Sequence, residues 1–208
     1  MNDFNFISIG DHCAIPLILR DLNLKKKSYP FDWISASNIE KTNIIRNCEL
    51  VRTLLETKNA KIVTQLMCGD AFTNGNREYE YDGMLFPHEY PKNKNDTTEI
   101  LVKYERRFER LLDHLLTKTN KFFLLTRFVY ISQEQFDNII RILISCNKNN
   151  RIIFISGVKH NYLFRKKYKK YVTFKYIFYD FSNLANLSLY DVPFRRDVRN
   201  YLENKLKK

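Results

Sequence analysis

Short apolar runs and amphipathic segments alternate along the chain, and their order sets the expected elements. Phe4-Asn5-Phe6-Ile7-Ser8-Ile9 is apolar and partly β-branched and stops at Gly10, which is the pattern of a buried strand. Residues 13–22 then place Ile15, Leu17, Ile18 and Leu22 at helical spacing. Asp11 or His12 stands near the N-cap, and Pro16 fits only in the first turn. Residues 39–55 read as a second helix, 61–67 as a strand, and 77–86, with Tyr79, Tyr81 and Asp82-Gly83, as a small hairpin. Residues 99–116 carry one long apolar stripe through Ile100, Tyr104, Phe108, Leu111 and Leu115, with Glu105, Arg106 and Glu109 off it.

The second half repeats the alternation more regularly. Strands are expected at 122–126, 152–156 and 172–179, separated by helices at 133–146 (Ser132 as N-cap) and 160–168. A last helix covers 194–206 and is entered through Pro193. Strands separated by helices of this length pair in parallel through right-handed crossovers. The expected fold is therefore a single α/β domain over residues 1–208, with a mostly parallel, Rossmann-like sheet flanked by helices and a small hairpin insertion. Ligands of such sheets bind beyond the carboxyl ends of the strands. Those ends carry Gly10 with Cys13 just after it, then Arg127, Ser156-Gly157 and Asp180, so a thiol, a guanidinium, a turn and a carboxylate would face one edge.

Charge adds a class of partner. Thirty-five Lys and Arg against 23 Asp and Glu leave a net charge of +12, which favours nucleic acid, phosphate esters or an acidic surface. The charge reads as diffuse, so nucleic-acid contact is expected to be weak, nonspecific and steeply salt-dependent. The basic run Arg165-Lys166-Lys167-Tyr168-Lys169-Lys170-Tyr171 interleaves aromatics with cations, and reads as the solvated face of a crossover helix. No apolar run reaches bilayer-spanning length and no basic segment precedes an apolar one at the start, so no membrane contact and a cytoplasmic location are expected. Cysteines stand at 13, 48, 68 and 146, with no C-x-x-C pair and no zinc-ligand spacing to His12, His88, His114 or His160. No disulfide, metal or cofactor is expected from them.

Cys13 is the chief candidate for chemistry, because a thiol in the first turn of a helix has its thiolate stabilised by backbone N–H groups and the helix dipole. His88, in Met84-Leu85-Phe86-Pro87-His88-Glu89-Tyr90, could take its proton, and a carboxylate such as Asp32 or Glu89 could orient the ring. His12 is the rival base, although neighbouring helical residues point about 100° apart. Ser28-Tyr29-Pro30-Phe31-Asp32-Trp33 encloses a carboxylate and the single Trp in an aromatic cluster, and its alternative role is packing, with Asp32 capping a turn.

Four ordered motifs carry a resemblance. Ser8-Ile9-Gly10-Asp11-His12-Cys13, then Ser28 to Trp33, then Phe86-Pro87-His88, then Lys103-Tyr104-Glu105-Arg106-Arg107-Phe108 resemble the papain-like cysteine peptidase family of bacteria and large DNA viruses. The resemblance implies Cys13 as nucleophile and His88 as base, a peptide or other acyl substrate, and, for a viral chain, the host cytoplasm. Asp32 is the choice for third member, and Gly10, His12, Trp33, Arg127 and Asp180 for substrate contacts. Gly10-Asp11-His12-Cys13 after a first strand also resembles the nucleophile turn of SGNH-type hydrolases. The expected function is a cysteine-nucleophile hydrolase. The alternative is a non-catalytic Rossmann-like module that binds a phosphorylated ligand or nucleic acid at the strand ends.

Overall fold

Residues 4–11, 13–36, 42–69, 80–81, 84–87, 89, 98–126, 129–177 and 187–206 are described by a computed structural model. In chain order the elements are β1 (Asn5–Ser8), α1 (Ala14–Asp21), a 3₁₀ turn (Pro30–Trp33), β2 (Ser35–Ala36), α2 (Ile44–Thr57), α3 (Ala60–Cys68), β3 (Glu80–Tyr81) and β4 (Met84–Leu85). Then follow α4 (Thr98–Thr117), β5 (Asn120–Thr126), α5 (Gln133–Ser145), β6 (Arg151–Ser156), α6 (Tyr162–Tyr168), β7 (Val172–Tyr176) and α7 (Leu187–Leu206).

Four strands pair in parallel in the order β1-β5-β6-β7, with Ile7 opposite Phe122, Phe123 opposite Ile153 and Phe154 opposite Phe174. The two-residue period of β5 and β6 decides the layers. Phe122, Leu124, Ile152 and Phe154 point to one side, into a core shared with α2 to α6. Phe123, Leu125, Ile153 and Ile155 point to the other, against Ala14, Ile15 and Ile18 of α1 and Val198 and Leu202 of α7. Both central strands are thus covered on both faces, which is why their sequences are continuously apolar.

The expected parallel α/β fold holds, with three local corrections. The segment expected as a strand at 61–67 is helix α3. Its run Ile62-Val63-Thr64 has β-branched character, but Asn59 caps the helix by accepting from Ile62 N at 3.1 Å, and Ala60, Val63, Thr64, Met67 and Cys68 are buried at helical spacing. The last helix begins at Leu187 rather than at 194, so Pro193 lies within it. The hairpin of β3 and β4 gains a third strand, β2, which pairs with β4 to make a small antiparallel sheet in the order β2-β4-β3. The turn residues Asp82 and Gly83 lie outside the described residues.

Ser132 caps α5 as expected, in a reciprocal capping box with Gln135. Among the described residues, no helix is long and apolar enough to cross a membrane.

Candidate active site at the carboxyl end of the first strand

After Ser8 the chain stays against β5, with Ile9 N donating to Phe123 O at 2.9 Å and Asp11 N to Leu125 O at 3.0 Å. Gly10 lies between these bonds. A Cβ there would meet the backbone nitrogen and Cβ of Leu125 at 3.0 Å, so the absence of a side chain permits the close approach of the two strands. Asp11 is buried, and its Oδ1 accepts from Asn43 N at 2.6 Å and from Thr42 Oγ1 at 2.8 Å. The carboxylate thus sits at the amino end of α2, where the helix dipole favours it, and ties the β1 turn to that helix.

Cys13 follows as the N-cap residue of α1, in helical conformation (φ −68°, ψ −1°), and its carbonyl accepts from Leu17 N at 3.2 Å. It is half-buried. The other thiols differ. Cys48 and Cys68 are fully buried, and burial pushes both thiols up, Cys68 to about 12 with Glu89 adding to the effect. Burial also raises Cys146, whose Sγ donates to Ile142 O at 3.4 Å.

The motifs of the first half meet on α4. Phe31 packs edge-on against Phe108 at 5.8 Å between ring centres, and Phe86 against Tyr104 at 5.7 Å. Arg110 donates to Ser28 O at 2.6 Å, and Tyr29 Oη lies 2.6 Å from His114 Nδ1. Glu89 is buried, pairs with Lys103 Nζ, and has Arg107 Nη1 at 3.4 Å.

Asp32 is fully buried. Its Oδ1 is 2.5 Å from Lys25 Nζ, and its Oδ2 accepts from Tyr29 N at 2.6 Å. Burial raises the Asp32 carboxyl and lowers the Lys25 ammonium, and their mutual attraction opposes both shifts. Arg107 adds to the stabilisation of the Asp32 carboxylate, so one buried charge array runs from Lys25 and Asp32 past Arg107 to Glu89 and Lys103. The Lys103-Tyr104-Glu105-Arg106-Arg107-Phe108 motif therefore acts as a bar onto which the loops of Asp32 and Glu89 are fastened.

The expected site residues fall into two groups. Gly10 and Cys13 stand together at the end of β1, as the strand-to-helix reading required. Asp32 is bonded to Lys25, which follows α1, and the Trp33 ring lies 6.0 Å from the Arg20 guanidinium. Both are thus tied to residues in or beyond the last turn of α1, whereas Cys13 is at its amino end. His12, His88, Arg127 and Asp180 lie outside the described residues.

Sequence reading missed the burial of Lys25 and Arg107. The available signal was Lys103 and Arg107 at an i, i+4 spacing beside the stripe residues Tyr104 and Phe108. It also missed Asn43 and Asn47, one turn apart on α2 near Asp11. The Asn43 Nδ2 and both side-chain polar atoms of Asn47 are buried without a hydrogen-bond partner among the described residues. Such groups are satisfied in native proteins by water or ligand.

No solved structure matches the chain. The sequence model of the family described as "Putative papain-like cysteine peptidase (DUF1796)" matches residues 4–157, from the start of the described chain to the turn after β6. "Uncharacterized protein R408" of Acanthamoeba polyphaga mimivirus is 30% identical over 176 residues, which cover 77% of this chain and 79% of that one. The family match takes in the Cys13 turn, the α4 bar and three of the four parallel strands, and the chain belongs to this family.

Proposed function

We propose that the protein is a cysteine-nucleophile hydrolase of peptide or related acyl bonds, with Cys13 as nucleophile and His88 as base. The observation that supports this most is the placement of Cys13. Its half-buried thiol lies at the amino end of a helix, at the carboxyl end of a parallel strand, where such sheets hold their ligands. In the first step the Cys13 sulfur bonds to the acyl carbon, and its proton passes through His88 to the departing amine. In the second, His88 takes a proton from water, the hydroxide displaces the thiolate, and the carboxylic acid leaves. No cofactor enters either step.

Glu89 follows His88 directly and is anchored to Lys103 and Arg107, an arrangement suited to fixing the loop that presents the base. Asp32 takes the third place in this reading, as the carboxylate that orients the His88 ring. Gly10, His12, Trp33, Arg127 and Asp180 are assigned to the substrate, and Asn43 and Asn47 join them as buried amide groups near the Asp11 turn.

Digestion of a peptide library, read by mass spectrometry, tests the proposal. Cys13→Ala and His88→Ala should each lower turnover by about 1,000-fold or more while leaving the circular dichroism unchanged. Undiminished cleavage by Cys13→Ala would refute cysteine chemistry. In Asp32→Asn, a shifted pH–rate profile supports the orienting role, whereas lost stability with an unchanged profile assigns Asp32 to the fold alone.

A further inference from the structure

The positive charge of this protein is concentrated rather than diffuse. Between Asp137 and Asp180 the sequence holds ten Lys and Arg and no carboxylate, so this stretch supplies +10 of the net +12. It forms the β6-α6-β7 unit and its approaches. Lys159, Arg165, Lys166, Lys169 and Lys170 are exposed and have no carboxylate partner among the described residues, whereas Lys167 is paired with Asp137 at 2.8 Å. The five follow one another from the carboxyl end of β6 along α6 to the start of β7. The aromatics inside the basic run are not exposed with them, because Tyr168 is buried and Tyr171 half-buried.

Other aromatics flank the stripe at the carboxyl edge of the sheet. Tyr162 is 66% exposed, and Tyr130 is 49% exposed. The Tyr130 ring lies nearly parallel to His160 at 4.8 Å, and His160 in turn stacks on Phe164 at 4.7 Å, so Tyr130 is the outer member of a column. Tyr176, 39% exposed, borders a cleft of about 190 Å³ that is also lined by Ser156, His160 and Arg165.

We infer that this face binds single-stranded nucleic acid, with the phosphates along the Lys159–Lys170 stripe and bases stacked on Tyr162 and Tyr130. A row of unpaired cations beside exposed aromatic faces is the arrangement that holds a single strand. A duplex would use the cations and leave the rings idle, because its bases are already stacked. An anionic membrane fits less well, since a surface helix buries an outward apolar face in lipid. The apolar residues Phe164 and Tyr168 of α6 point into the core, and Leu163 is the one exposed aliphatic side chain on the helix. The inference is independent of the chemistry at Cys13.

Fluorescence anisotropy of the full-length protein with a labelled oligo-uridine 12-mer tests it. Five phosphate contacts give a slope of log affinity against log salt of about −3.5, or roughly a 100-fold loss between 50 and 200 mM. Arg165→Gln, Lys166→Gln, Lys169→Gln and Lys170→Gln together should reduce that slope to about −0.7. Tyr162→Ala should weaken binding at least about fivefold without changing the slope. A second quadruple variant, with Lys26, Lys58, Lys61 and Lys118 changed to Gln, removes the same charge from other exposed positions and should bind nearly as the parent does. Equal losses in the two quadruple variants would overturn the stripe in favour of net charge. Equal affinity for a duplex of the same length would overturn the single-strand assignment. Binding to phosphatidylserine vesicles without binding to the oligonucleotide would replace nucleic acid by membrane.

Discussion

Cys13, Cys48, Cys68 and Cys146 place the same group in four environments, and their reactivity should order accordingly. Burial raises the last three thiols, while Cys13 is half-buried beside a helix dipole that favours its anion. With iodoacetamide at neutral pH, Cys13 should be modified first, and Cys48 and Cys68 only when the protein unfolds; faster labelling of a buried thiol, seen by mass spectrometry, would refute this order.

Asp32 shows the limit of reading single residues. Its sequence position suggested a role beside Cys13, but the choice between triad member and turn cap depends on Lys25, seven residues earlier in a basic loop that gives no sign of burial. Asp32→Asn leaves the Lys25 ammonium, only 5% exposed, without its counter-charge, and should cost about 3–5 kcal/mol in urea unfolding. Adding Lys25→Met should recover much of that loss, because an apolar chain of similar length needs no partner.

His160 gives a pH dependence with a definite sign. Burial among Tyr130, Phe154 and Phe164 lowers its affinity for a proton below that of an ordinary histidine, and His114 is lowered by burial as well. The unfolded chain therefore binds more protons than the folded one just below the ordinary histidine range. Stability is at its full value above about pH 6.5 and is lost as the pH falls through that range toward the folded-state values. Thermal melts between pH 7.5 and 5 should show this decline, and His160→Phe should make it shallower.

At the scale of elements, legibility followed local periodicity. The α4 stripe and the strands β5 and β6 could be located because their burial repeats every three to four residues or covers a continuous run. The α3 segment was misread because β-branched residues occupy a helix whose stability comes from its cap and its packing on α4, a tertiary effect that propensity does not carry. The two-residue strand β2 is shorter than any pattern can reveal, and exists because β4 offers it an edge.

Gly10 follows the first strand where the chain lies close against Leu125, and packing there leaves no room for a side chain. Gly10→Ala would drive a methyl group into the backbone of Leu125, which β6 holds from the other side. The substitution should cost about 1–3 kcal/mol. It should also loosen Cys13, so the thiol should label faster in this variant than in the parent; unchanged stability would show that β1 can shift at no cost.

Across the whole molecule, the two proposed activities occupy different parts of one sheet. The family match ends at residue 157, just after β6, while most of the basic stripe lies beyond it on α6 and the approach to β7. Residues beyond the matched part complete both cores. Val198 and Leu202 of α7 close the core over Ala14, Ile15 and Ile18 of α1, the helix that carries Cys13 at its start. On the other face, Phe164, Tyr168, Val172 and Phe174 pack on Phe136 and Phe154. A chain ending at Gly157 would expose both surfaces and turn β6, a central strand, into an apolar edge. The full chain should unfold in one cooperative transition seen identically by circular dichroism and Trp33 fluorescence. The shortened chain should show no cooperative melt and should aggregate. A soluble product with a sharp transition would instead make residues 158–208 a dispensable attachment and separate the nucleic-acid face from the Cys13 site as an independent module.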